Sequence, residues 1–229
     1  MKQVLTKDGS VTFYSEEYME TYHSVSGAVE ESLRKFAEPC GIRELAISGH
    51  VRILDICFGL GYNSCAAIDT ALKENPECRI EIVALEKDIK ILDEIKNLNP
   101  SFKNYKIIKD LIKNENHKII QDLIKNNFKF KNRNIEMELM VGRAEETITS
   151  IKNIKFNAVF LDPFSPPKNP ELWTLHFLKN ARDLMEKGAT LATYSCAKKV
   201  RENLKASGFI VKDGSVVGRR APATVAVNA

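Results

Sequence analysis

Hydrophobic residues along this chain gather into short runs rich in β-branched side chains, at positions 51–56, 80–85, 135–141, 157–162, 189–195, 209–213 and 223–229. Runs of this length and composition predict strands. Between most of them the apolar positions take a helical spacing instead: Ala66, Ala67, Thr70 and Ala71 after the first, Ile89, Leu92 and Ile95 after the second, and Phe177, Ala181 and Leu184 before the fifth. Strand alternating with helix predicts a mostly parallel sheet covered on both faces. The last two runs break the rule, because about ten residues separate them. So short a link fits an antiparallel hairpin better than a helical crossover.

Two stretches stand outside the alternation. Residues 1–45 begin with an Asp8-Gly9 turn between alternating segments, a hairpin signal, and continue into a helix carrying Ala28, Leu33 and Phe36. They are expected to form a cover for the domain at 46–229. Within that domain, residues 103–135 are rich in lysine and asparagine yet keep apolar pairs at Leu111/Ile112, Ile119/Ile120 and Leu123/Ile124, which predicts an inserted helix with a basic outer face.

Composition narrows the classes. The chain has 229 residues, 44% of them hydrophobic, the share of an ordinary globular protein. No stretch approaches the roughly 18 uninterrupted apolar residues of a membrane span, and the first residues lack the apolar core of a secretory signal, so a cytoplasmic protein without membrane contact is expected. Five cysteines lie far apart, with no C-x-x-C pair, and predict neither a disulfide framework nor a metal site. A net charge of +4 is too modest to imply nucleic acid by itself.

Candidate chemistry starts at "LDICFGLGYNS", where the first sheet run ends and Gly59 and Gly61 follow, with Ser64 where a dinucleotide fingerprint would place a third glycine. Such a turn fits a structural bend, a nicotinamide or flavin site, or an S-adenosylmethionine site. Three features favour the last. Glu86, followed by Lys87, ends the second run, where a carboxylate can accept both ribose hydroxyls of an adenosine. Gly142, Arg143 and Ala144 follow the third run, where an adenine would lie against backbone. The closing hairpin is the arrangement that separates S-adenosylmethionine methyltransferase sheets from dehydrogenase sheets.

The stretch "FLDPFSPPKNPELWT" carries the most. Asp162 ends the fourth run, and Pro163, Pro166, Pro167 and Pro170 hold the loop after it extended. A carboxylate so placed, with Phe164 and Trp173 nearby, suits a flat substrate bearing an amine. Read alone, Asp162 is also compatible with a helix cap and Trp173 with a core residue.

Taken together, "DGSVTFYSEEYMETYHS", "LDICFGLGYNS", "DPFSPPKNPELWT" and "GRRAPATVAV" resemble the MnmC-type tRNA methyltransferases, and the likeness runs through nearly the whole chain. The resemblance implies an α/β class I S-adenosylmethionine methyltransferase fold, a seven-stranded, mostly parallel sheet with an antiparallel last strand and an N-terminal cover. It implies methylation of the 5-aminomethyl group of a wobble uridine in tRNA, in a stand-alone form without the FAD oxidase domain of two-domain members. Pro163 departs from the family's usual alanine, whereas Phe58 agrees with its pattern. Carried onto this chain, Asp162 holds and orients the amine, and Tyr22, His23, Phe58, Gly59, Gly61, Asn63, Glu86, Lys87, Gly142, Arg143, Ala144 and Asp162 surround S-adenosylmethionine. Phe164 or Trp173 stacks on the extruded base. Lys168, Arg219 and Arg220, with Lys198, Lys199 and Arg201, form a basic rim for tRNA phosphates. Two other readings stay open: an aminopropyltransferase of the spermidine synthase kind, disfavoured by a basic surface, and a non-catalytic RNA-binding protein, disfavoured by the intact set of Gly59, Gly61, Glu86 and Asp162.

Overall fold

A computed structural model of the chain describes residues 1–113, 127–218 and 220–229. Among the described residues the larger sheet runs, edge to edge, through β10 (Phe209–Asp213), β11 (Thr224–Asn228), β9 (Met185–Thr193), β8 (Phe156–Leu161), β4 (His50–Ile56), β5 (Arg79–Glu86), β7 (Ile135–Val141) and β6 (Phe128–Lys131). The parallel centre is built from β4 (His50–Ile56), β5 (Arg79–Glu86), β7 (Ile135–Val141), β8 (Phe156–Leu161) and β9 (Met185–Thr193). β4 and β8, at the centre, read as nearly continuous apolar runs because both their faces are covered, whereas β7 alternates Glu136 and Glu138 with buried Ile135, Met137 and Leu139. In β4, for example, Val51, Ile53, Leu54 and Ile56 are all fully buried.

As expected, the chain ends in an antiparallel pair, β10 (Phe209–Asp213) and β11 (Thr224–Asn228), with β11 inserted between β10 and β9. The strand count differs from expectation. Inside the stretch expected to be an inserted helix, only Tyr105–Ile112 is helical among the described residues. Phe128–Lys131 forms an eighth strand, β6, antiparallel to β7. The reason is local: "FKFK" alternates with period two, and Lys129 and Lys131 pair with Glu138 and Glu136 of β7. The pairs Ile119/Ile120 and Leu123/Ile124 lie outside the described residues.

The segment before the sheet forms a small antiparallel layer, β1 (Lys2–Leu5), β2 (Val11–Ser15) and β3 (Glu20–Thr21). Asp8 has two functions there. It closes the β1–β2 turn by accepting from Ser10 N and the Thr6 hydroxyl, and it accepts from Val29 N and Glu30 N at 3.1 Å each, capping α1 (Ala28–Glu31) from a distance. Burial pushes the Asp8 carboxyl up, but the hydrogen bonds from Ser10 and Thr6 outweigh it and bring it down to about 2. A π-helical turn at Ser32–Ala37 follows α1, closed by the bond from Glu38 N to Leu33 O. Of the three residues expected to anchor this helix, Ala28 and Phe36 are fully buried, whereas Leu33 is exposed.

A short helix, α2 (Ile42–Ile47), leads into β4, after which the chain turns through Gly59 and Gly61 into α3 (Tyr62–Glu74). Gly61 has φ +73°, and a Cβ there would stand 2.6 Å from Phe58 Cζ and 2.7 Å from Ile108 Cγ2, both in side chains with no room to retreat. Gly61→Ala is therefore expected to cost about 1–2 kcal/mol for the left-handed backbone and about 1–3 kcal/mol more for overpacking. Urea unfolding of the purified variant measures this, and an unchanged midpoint would show that the turn tolerates a side chain.

Candidate active site

Strand order reverses at β4, which has β5 on one side and β8 on the other. In open parallel sheets the crevice beyond such a point is the ligand site. A cavity of 510 Å³ lies there, within the range of small-molecule sites. Its floor comes from strand ends: Cys57 and Gly59 after β4, Glu86 at the end of β5, Gly142 to Ala144 after β7, and Asp162 with Pro163 after β8.

Glu86 is buried and fully engaged. One carboxylate oxygen accepts from Gly59 N at 2.8 Å, and the other accepts from Lys87 N and Asp88 N at 2.8 Å each. Burial raises its proton affinity and these backbone donors oppose that. The carboxylate thus stitches the glycine turn to the end of β5, and only the oxygen that accepts from Gly59 N keeps acceptor capacity for a further donor. Gly59, at φ +55°, meets the Tyr22 ring above it.

Asp162 is half-buried at the opposite side. Its backbone N donates to Ile56 O at 3.1 Å, which fixes it to β4, and its Oδ2 accepts from Asn63 Nδ2 at 2.8 Å. Burial pushes its carboxyl well above the usual range, the Glu31 charge adds to this, and the Asn63 bond opposes it. Deeper in β4, burial raises buried Asp55 to about 7, against a bond from Ser64.

The N-terminal segment roofs the cavity and is fastened on three sides. Glu20 accepts from the backbone and hydroxyl of Ser165 in the proline loop. Tyr22 donates to Asp88 Oδ2 at 2.7 Å, and Ser26 donates to Gly218 O at 3.1 Å. Tyr18 stacks on Phe164 at 4.2 Å between ring centroids.

Several expected site residues lie outside the cavity, and others at its wall are engaged by protein groups. Phe58 is 2% exposed and packs in the core beside Gly61; neither lines the cavity. Asn63 holds Asp162 rather than lining the wall. The Lys87 side chain turns to the roof, paired with Glu17 at 2.9 Å and over the Tyr18 ring. His23 touches the cavity but is buried on Tyr62 and Thr12; burial lowers its imidazole to about 4, so it is neutral at physiological pH. Trp173 is 3% exposed, donates its indole N–H to Phe164 O, and belongs to the core, so it offers no stacking face. Phe164 does line the cavity, with one face already taken by Tyr18.

On the proposed rim, Arg220 is exposed and Lys168 half-exposed, both outside the cavity wall. Arg201 is consumed internally by Asp213, Thr224 and Ala223 O. Arg219 lies outside the described residues.

No linear pattern points to the buried ion pair in the wall. Lys35 Nζ meets Glu31 Oε1 at 2.6 Å, and Glu31 Oε2 accepts from Ser24 N at 2.7 Å. In sequence the two are an ordinary i, i+4 pair of a surface helix. Together seven carboxylates and three cations line the cavity, which is therefore acidic within a basic chain. The expectation that basic surface disfavours a polyamine-type acceptor accordingly fails inside the cavity, because the surface sign does not extend into it. A negative lining, a carboxylate at the β5 end and a bare backbone at Gly59 fit a cationic nucleoside ligand.

Comparison with known proteins accords with this geometry. Residues 106–229 match the family described as S-adenosyl-L-methionine-dependent methyltransferase. The fold is similar to the crystal structure of MnmC2 from Aquifex aeolicus, with a TM-score of 0.85 and 34% identity over 99% of this chain and 70% of that one. By sequence the chain is 34% identical over 97% of its length to the uncharacterized protein MJ0670 of Methanocaldococcus jannaschii. It is 31% identical over 95% to the tRNA 5-methylaminomethyl-2-thiouridine biosynthesis bifunctional protein MnmC of Leptospira interrogans. It spans 58% of the first relative and 34% of the second. No helix among the described residues is long and apolar enough to cross a membrane. Fold, cavity chemistry and these matches place the chain in the family of S-adenosyl-L-methionine-dependent methyltransferases, of the MnmC type.

Proposed function

We propose that this chain transfers a methyl group to the primary amine of a 5-aminomethyl group on a wobble uridine of tRNA, giving 5-methylaminomethyluridine. The observation that carries this reading is Asp162, a braced carboxylate facing an acidic cavity whose other side presents Glu86. The name of the Leptospira relative, which concerns tRNA 5-methylaminomethyl-2-thiouridine, supports the choice of acceptor.

S-adenosylmethionine, when bound, supplies a methyl group on a positively charged sulfur. Glu86 and the backbone at Gly59 and Gly142 to Ala144 would hold its nucleoside, under the Tyr22 roof. Asp162 attracts the acceptor as an ammonium, takes one of its protons, and leaves the nitrogen lone pair aimed into the cavity. From there the lone pair would take the methyl carbon that the bound donor supplies, the donor's sulfur keeping the electron pair of the bond given up. Asn63, the bond to Ile56 O and the proline loop keep the carboxylate from swinging, and such positioning contributes most of what an enzyme can add to a displacement of this kind, about 7–11 kcal/mol at the upper end. Lys168 and Arg220 are candidates for tRNA phosphates and Phe164 for contact with the base.

Purified protein incubated with methyl-labelled S-adenosylmethionine and tRNA carrying the 5-aminomethyl group, and in a parallel arm with decarboxylated S-adenosylmethionine and putrescine, tests the reading. Label in the wobble nucleoside of tRNA is expected. Label-free tRNA would refute the proposal, and an aminopropylated putrescine formed from the decarboxylated donor would install the aminopropyltransferase reading in its place.

A further inference from the structure

The Glu31–Lys35 pair is unaccounted for by the fold. Both side chains are buried, at 7% and 3% exposure, and a buried ion pair of this kind stabilises little, since well-packed apolar residues do as well. Both line the same cavity as Asp162. The π-helical turn at Ser32–Ala37 widens the backbone between α1 and the following residues, a device often found at functional sites. Lys35 and Ser24 N leave the Glu31 carboxylate no freedom to turn away.

We propose that Glu31, tethered by Lys35, is a positioning residue for methyl transfer: its fixed negative charge in the wall shared with Asp162 makes Asp162 the group that takes the acceptor's proton. The inference rests on the reading of the acceptor as an amine. In the step itself one ammonium N–H proton passes to the Asp162 carboxylate, the electron pair stays on nitrogen, and Glu31 keeps its charge. Asp162 faces Glu31 and Lys35 from the first helix, Asn63 from α3, and Asp55 and Cys57 from the end of β4; Glu31 in turn faces His23 from the roof. Of the charged neighbours of Asp162, Glu31 acts most strongly and favours proton uptake; Lys35 opposes it more weakly.

The experiment is the pH dependence of kcat/KM, with Glu31→Gln beside the unaltered protein. Removing a like charge makes Asp162 release its proton more easily, so the acidic limb is expected to move to lower pH by roughly one unit, with Glu31→Asp restoring the original limb. The double variant Glu31→Gln/Lys35→Met leaves no unpaired buried charge, so it carries the test if the single variant does not fold, with a smaller shift of the same sign. A carbon-13 NMR titration of the Asp162 carboxyl, assigned by its loss in Asp162→Asn, reads the same shift without any acceptor. An unmoved limb and an unmoved titration overturn the inference and make the pair purely structural. If the unaltered protein methylates no tRNA amine, the functional reading fails, and the titration alone then decides this one.

Discussion

Asp162→Asn is expected to keep S-adenosylmethionine binding close to its original affinity while lowering methyl transfer by about 10²–10⁴-fold, the usual contribution of a positioned proton acceptor. The amide matches the carboxylate in shape, its oxygen can still accept from Asn63 Nδ2, and the backbone bond to Ile56 O is untouched. What disappears is the charge that draws an ammonium and the basicity that burial and Glu31 build up. Because the carboxyl is held above its ordinary range, activity of the unaltered protein should rise with pH as Asp162 loses its proton, and the variant should lack that limb. Calorimetry for the cofactor and single-turnover transfer to tRNA check both halves. Near-normal turnover would reduce Asp162 to a structural residue.

Glu86→Ala should have the opposite profile. Each charge-assisted bond lost is worth about 1.5–3 kcal/mol, and here three backbone donors, at Gly59, Lys87 and Asp88, lose their acceptor together with any ribose hydroxyls. Cofactor affinity is therefore expected to fall by at least 10²-fold, with lower thermal stability, because the glycine turn is no longer stitched to β5. Glu86→Gln does not rescue it: the amide NH₂ would face backbone N–H groups. Titration calorimetry and thermal melting on both variants measure this. An affinity within threefold of the original would show that the nucleoside is held elsewhere.

How much of this was legible beforehand follows the kind of signal involved. The strand runs at 51–56, 80–85 and 157–162 were plain because their carboxyl-terminal halves are buried on both faces and read as dense apolar stretches, and 135–141 because glutamates alternate with buried Ile135, Met137 and Leu139. Glu86 and Asp162 were legible because a carboxylate at the end of an apolar run has few structural reasons to be there. The four residues of β6 were missed because two phenylalanines between lysines are too short to outweigh a lysine-rich helical reading. Trp173 and Phe58 were placed at the site by their chemistry, yet large rings are also what a core takes up, and a contact map decides between the two. Glu31 and Lys35 were invisible for a deeper reason: the i, i+4 spacing is the same on a solvated helix face as in a cavity wall, and no linear pattern distinguishes them.

The acidic lining of the cavity also bears on turnover. Methyl transfer would leave the donor as a neutral thioether and put the positive charge on the methylated nitrogen, so the carboxylates nearest the donor would no longer attract it. At 4 Å one such unit-charge interaction amounts to roughly 1 kcal/mol with water-like screening and about 4 kcal/mol near a protein surface. Even with Asp162 protonated the lining remains net negative. The walls that would admit the charged donor would therefore hold its spent form less tightly, and the shift of charge to the acceptor nitrogen would favour release of the by-product.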